Sequence, residues 1–183
     1  MTAATTRFSP IARLMHWLMA PLVIAMLFIG IGMVSTLSWW HEVLLTIHRP
    51  LGIAILVLVA VRLVVRFTHK TPALPADMPR WQQQVAHFSH WLFYALLFAM
   101  PLVGWAMLSS AGYPVQLAGP VHLPPILPQS VRAYAFLRSA HTYLALLLFA
   151  TFLMHLAAAL FHGLVRRDGV FSSMAGGANE RSP

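Results

Sequence analysis

Cysteine is absent from the 183 residues, which excludes disulfides, thiolate metal sites, iron–sulfur clusters and the Cys-x-x-Cys-His attachment of a c-type haem. Any redox group has to be held by other ligands. Acidic residues are nearly as scarce. Glu42, Asp77, Asp168 and Glu180 are the whole set, and none falls in the middle of an apolar run, where a proton-driven pump or cation channel places a carboxylate. Charged residues make up 9% of the chain against 59% hydrophobic, far from the balance of a soluble domain. A spanning helix needs roughly 20 apolar residues, so this length holds about four spans and leaves no room for a separate soluble catalytic domain.

Four stretches fit that requirement. No Asp, Glu, Lys or Arg occurs from 14 to 40, and 43 to 67 carries only Arg49 and Arg62 before Arg66 near its end, where long side chains snorkel to the interface. A third run, 90 to 108, stops at the turn signal Gly112-Tyr113-Pro114, and a fourth, 139 to 165, stops at Arg166-Arg167-Asp168-Gly169. Trp17, Trp39, Trp40, Trp91 and Tyr143 lie near the ends of these runs, as interfacial aromatics do. The chain therefore reads as one all-α membrane domain over 1–183, an integral four-helix bundle with short tails. Its spans fall at about 14–38, 43–67, 88–110 and 137–165.

Charge sets the expected orientation. The formal charge is +8, and nine of the twelve basic residues fall on one side: Arg7, Arg13, Arg62, Arg66, Lys70, Arg80, Arg166, Arg167 and Arg181. Arg49, Arg132 and Arg138 fall on the other. The positive-inside rule then puts both termini in the cytoplasm. These cations flank apolar runs instead of forming a soluble basic face, so nucleic acid is not an expected partner. The first span is too long for a signal peptide and lacks a small-x-small site after it, so it is expected to stay uncleaved. The outer loop, 111–133, holds Pro114, Pro120, Pro124, Pro125 and Pro128 and reads as an ordered, non-helical cover over the bundle. No internal repeat is evident.

Ten histidines remain to be explained. His141 and His155 are fourteen residues apart, close to four full helical turns, so they share a face about 21 Å apart along the axis. His16 lies at the inner start of the first span and His48 at the outer start of the second. Depths then match in two pairs, His16 with His155 inside and His48 with His141 outside. A single intramembrane histidine is often structural, bonded to a backbone or hydroxyl group. Four in two depth-matched pairs instead suit two haems, each held by two imidazoles from different helices in a six-coordinate state that favours electron transfer over ligand chemistry. His87 and His90 share a face at the inner start of the third span, and His90 is the rival of His16 for the inner site. His41, His69 and His122 fall in connections and read as surface residues.

Arg13, Arg49 and Arg138 lie three, one and three residues from His16, His48 and His141, and each is placed to pair with a haem propionate; snorkelling is the plainer role for any one of them. Pro21 and Pro101 interrupt spans and are expected to kink them. His162, seven residues after His155 and about 10 Å nearer the cytoplasm, is placed to hydrogen-bond a quinone carbonyl and hand it a proton. Its alternative is an ordinary interfacial histidine.

Taken together, Arg13-Leu14-Met15-His16-Trp17, His48-Arg49-Pro50-Leu51-Gly52 with Arg62 and Arg66, His87-x-x-His90, and the trio His141, His155 and His162 resemble the bacterial cytochrome b561 family over nearly the whole length. The resemblance implies four helices in a bacterial inner membrane, two haem b groups on His16, His48, His141 and His155, and electron exchange with ubiquinone. Members of this kind are associated with superoxide oxidation coupled to ubiquinone reduction. That implies Arg49, Arg132 and Arg138 as an attractor for superoxide and His162 as the quinone contact. Similar bundles serve as cytochrome b anchors that take electrons from a partner dehydrogenase. A haem-free transporter using histidine for zinc or copper is the alternative from another class.

Overall fold

The computed structural model describes residues 7–176; Glu180 and Arg181 lie outside the described residues. Four helices are long and apolar enough to cross a membrane. They are α1 (Pro10–Ser35), α2 (Trp39–Thr68), α3 (Arg80–Ala111) and α4 (Val131–Leu160), and α4 runs on into a π-helical turn, Phe161–Arg166. A short α5 (Val170–Ala175) follows. Between α3 and α4 the chain forms an antiparallel hairpin, β1 (Val115–Ala118) with β2 (Val121–Leu123). The result is a membrane helical bundle with the described ends of the chain at one end and the hairpin at the other.

Local sequence explains the helix limits. Ser9, Ser38 and Ser130 cap α1, α2 and α4, their hydroxyls accepting from the backbone N–H of Ala12, Trp40 and Ala133, and Pro10 occupies the first turn of α1 where no donor is lost. The helices outrun the apolar stretches. At 32 residues, α3 is about 48 Å long, well beyond a hydrocarbon layer of about 30 Å. Pro21 and Pro101 lie inside unbroken helices, as does Pro50, so they do not interrupt their spans, as prolines in membrane helices need not.

Packing is serial: α1 lies on α2, α2 on α3 and α3 on α4. Among the described residues no comparable seam joins α4 to α1 or α2. The buried apolar set within the helices is correspondingly thin, limited to Met19, Val23, Ile55, Val59, Val65, Leu96 and Leu148. Large side chains such as Phe28, Val57, Tyr143 and Met154 face outward, as they do where lipid is the solvent.

Each end of the bundle is tied. At the hairpin end, Trp105 Nε1 donates to the Pro124 carbonyl at 2.9 Å, Ile126 N–H to Ser109 Oγ at 3.1 Å and Ser130 N–H to the Ser110 carbonyl at 2.9 Å. These bonds fasten the proline-rich loop to α3, while β1 packs on α2 through buried Val115. At the other end, Arg13 Nε and Trp17 Nε1 both donate to the Met174 carbonyl, at 3.3 and 3.2 Å. Phe8 N–H reaches the Ser173 carbonyl at 3.2 Å. Gly176 closes α5 at φ 87°, a left-handed conformation that favours glycine, and lies against the Arg13 guanidinium.

His41 departs from its expected place in a connection. It sits in the first turn of α2, with Nδ1 3.0 Å from the Met33 carbonyl, because α2 starts earlier than the apolar run that marks its span. His69 caps the end of α2 and His122 lies on β2.

Candidate functional site

Although α2 and α4 do not pack together, two of their side chains meet. The rings of His48 and His141 have centres 6.2 Å apart with planes inclined at 69°. Nδ1 of His48 and Nε of the adjacent Arg49 are buried without a hydrogen-bond partner, whereas the His141 ring has the Met100 carbonyl of α3 as a backbone partner. Leaving such a group unpaired costs about 1–3 kcal/mol, so packing alone does not account for a histidine and an arginine at this place. The neighbouring helix makes room for them: a Cβ on Gly104 of α3 would stand 3.3 Å from His141 Cε1 and 3.6 Å from Nδ1. Any larger residue there would press on the ring.

A second cluster lies toward the termini, where His155 faces two partners. Its ring centre is 6.3 Å from that of His16 on α1 and 6.0 Å from that of His90 on α3, and Phe93 packs edge-on against it at 5.3 Å. Arg62 of α2 points into the cluster, with Nη2 donating to His16 Nδ1 at 3.1 Å. Both candidate partners of His155 are therefore within reach, and distance does not choose between them.

The spacing has a chemical meaning. Metal–imidazole bonds are about 2 Å and the ligating nitrogen sits roughly 1 Å from its ring centre, so two rings gripping one ion have centres about 6 Å apart. Two opposed imidazoles are too few for tetrahedral zinc, but they match the two axial positions of a haem. Among the described residues no three His, Asp or Glu side chains form a bare-metal site. Helix α4 shares no packed seam with the α1–α2 pair among the described residues, and these rings are where the two come close.

The remaining candidates are dispersed. Arg132 and Arg138 are exposed on the first turns of α4. Arg13 spends its Nε–H on the C-terminal segment, and Arg62 is the arginine that touches a site histidine. His162 lies in the π turn, which begins at Phe161, so α-helical face counting from His155 does not carry through to it. Its Nδ1 is 2.6 Å from Asp168 Oδ2. The residue order marks Asp168 only as part of a stop signal, and the rarity of acids in this chain is the one clue that it has a partner.

A family model, prokaryotic cytochrome b561, matches residues 7–177. The chain belongs to the prokaryotic cytochrome b561 family. Among its relatives, cytochrome b561 homolog 2 of Escherichia coli (strain K12) is 28% identical over 179 residues, covering 96% of this chain and 94% of that one. Cytochrome b561 homolog 1 of the same strain is 24% identical, covering 92% and 96%. A probable superoxide oxidase CybB of Yersinia pestis is 30% identical over 132 residues, covering 70% and 72%. As a prokaryotic cytochrome b561, the protein is a haem b electron-transfer protein of a bacterial membrane.

Proposed function

We propose that this cytochrome holds two haem b groups, one on His48 and His141 and one on His16 and His155, and moves electrons from superoxide to ubiquinone across the bacterial inner membrane. The observation that carries the proposal is that α4 presents two imidazoles, each opposed to a ring from another helix at a spacing of 6.2 or 6.3 Å. Held by these histidines, haem b would supply reversible one-electron storage.

The chain's own residues fit the rest of the reaction. With the termini cytoplasmic, as the basic residues favour, Arg49, Arg132 and Arg138 belong to the periplasmic side, where the sequence has a single acid, Glu42, and their charge draws in a small anion. At the cytoplasmic end His162 meets the quinone carbonyl and supplies a proton. The reaction balances as two superoxide ions, one quinone and two protons giving two dioxygen molecules and one quinol. Rapid mixing tests this reading: superoxide should reduce the purified protein and a ubiquinone analogue should reoxidise it. Failure of both steps removes it, and reduction only through a co-purifying protein would favour a cytochrome b anchor.

Arg62 adds a prediction. A positive charge beside an iron favours the reduced form, since reduction removes positive charge from the centre. Arg62→Gln should therefore lower the potential of the haem at the cytoplasmic end on the order of 50 mV, close to a tenfold shift in a one-electron equilibrium. Spectroelectrochemistry reads this directly, and an unchanged potential would deny Arg62 that role.

A further inference from the structure

The cytoplasmic end of α4 is built unlike the rest of the bundle. After Leu160 the helix widens into the π turn Phe161–Arg166, a form that is rare and concentrated at functional sites. Arg167 then takes a left-handed conformation at φ 50° and Gly169 follows at φ 84°. A non-glycine residue held there costs about 1–2 kcal/mol. The two residues reverse the chain and bring Asp168 back onto His162 at 2.6 Å, with side chains only 9% and 13% exposed.

A set of polar contacts holds the carboxylate in that position. Asp168 Oδ1 accepts from Val170 N–H at 3.2 Å, and Arg166 Nε lies 3.4 Å from Oδ2. Arg166 Nη2 in turn pairs with Asp77 of the α2–α3 connection at 2.7 Å, and Nη1 reaches Gln82 Oε1 of α3 at 3.5 Å. Asp77 is 73% exposed, so the chain of contacts runs from the aqueous surface to a nearly buried imidazole. On the other flank α5 packs tightly, since a Cβ on Gly163 would stand 3.1 Å from the Phe171 ring.

From this geometry we infer that Asp168 is a positioning residue for proton delivery to the quinone, acting through His162, with Arg166 clamping it to Asp77. The inference rests on reading His162 as the quinone contact. A carboxylate that receives Nδ1–H fixes the tautomer and the ring orientation, and it balances the positive charge the ring carries while it holds two protons. Nε2 is then the nitrogen that donates. Quinone takes up the two electrons that two superoxide ions supply, and two protons from cytoplasmic water; His162 hands each proton on and is reloaded.

The test compares two oxidants on the pre-reduced holoprotein. A ubiquinone analogue needs protons, whereas ferricyanide takes electrons alone. Asp168→Asn keeps an acceptor for Nδ1–H and the chain reversal but removes the charge. It should slow reoxidation by the quinone roughly 10- to 100-fold with a larger solvent isotope effect, and leave ferricyanide oxidation unchanged. Asp168→Glu should restore part of the rate. Should the Asn variant fail to assemble, Arg166→Gln leaves the His162–Asp168 pair intact while releasing its clamp, and should slow the quinone step roughly tenfold. Equal slowing of both oxidants, or none, overturns the inference. His162→Gln separates the layers: if it slows the quinone step and the Asp168 and Arg166 variants do not, only this inference falls, and if it too is without effect, the quinone reading of His162 falls with it.

Discussion

Alanine in place of either His48 or His141 is expected to cut the haem content of the purified cytochrome from two per chain to one. The two substitutions should be equivalent, since each leaves one imidazole where two rings face each other at 6.2 Å across helices that share no packed seam. Nε of the adjacent Arg49 is buried without a partner, but guanidinium has no lone pair to give and cannot replace a lost imidazole. The surviving haem should keep its spectrum. Haem quantitation by the pyridine adduct reads the loss, and retention of both haems in His141→Ala would break the pairing. Gly104 is part of the same expectation. A β-carbon at that position would already stand 3.3 Å from His141 Cε1, so the two further methyl groups of Gly104→Val should weaken the same haem without touching a ligand.

His155→Ala should remove the other haem, and here the partner has to be found by experiment. His16 and His90 stand at 6.3 and 6.0 Å from His155. Depth matching and the family resemblance both favour His16, so His16→Ala is expected to lose that haem and His90→Ala to keep it with a shifted potential at most. Arg62 makes the comparison sharper. It can only donate, so its bond to His16 Nδ1 asks that atom to accept, whereas ligation through Nε2 puts a proton on Nδ1. If His90→Ala loses the haem and His16→Ala retains it, the Arg62 bond is the lasting feature, and His16 is an arginine partner and not a ligand.

Much of this arrangement is legible in residue order. Apolar runs with little or no charge mark the four long helices, since an unpaired charge in hydrocarbon is costly. The fourteen-residue spacing of His141 and His155 puts them on one face because 3.6 residues make a turn. What hydropathy does not reveal is where that period fails. The π turn still carries Phe161, Leu164 and Val165 in the apolar run, so the surroundings of His162 change without a sign in hydropathy. The Asp168 contact depends on a chain reversal at Arg167 and Gly169, and the Arg13 contact on the fold-back of α5; each joins residues whose meeting is set by backbone conformation and not by pattern. Arg62 is legible as a basic residue near the end of a span. Its direction, into the histidine cluster instead of out to the interface, is not.

The most direct measurement of the central claim is haem quantitation on the purified protein, combined with a reduced-minus-oxidised spectrum and low-temperature electron paramagnetic resonance. Two b-type haems per chain, both low-spin with two axial imidazoles, are expected. A colourless protein after expression with ample haem, or a single haem that none of the His48, His141 and His155 alanine variants removes, would contradict it.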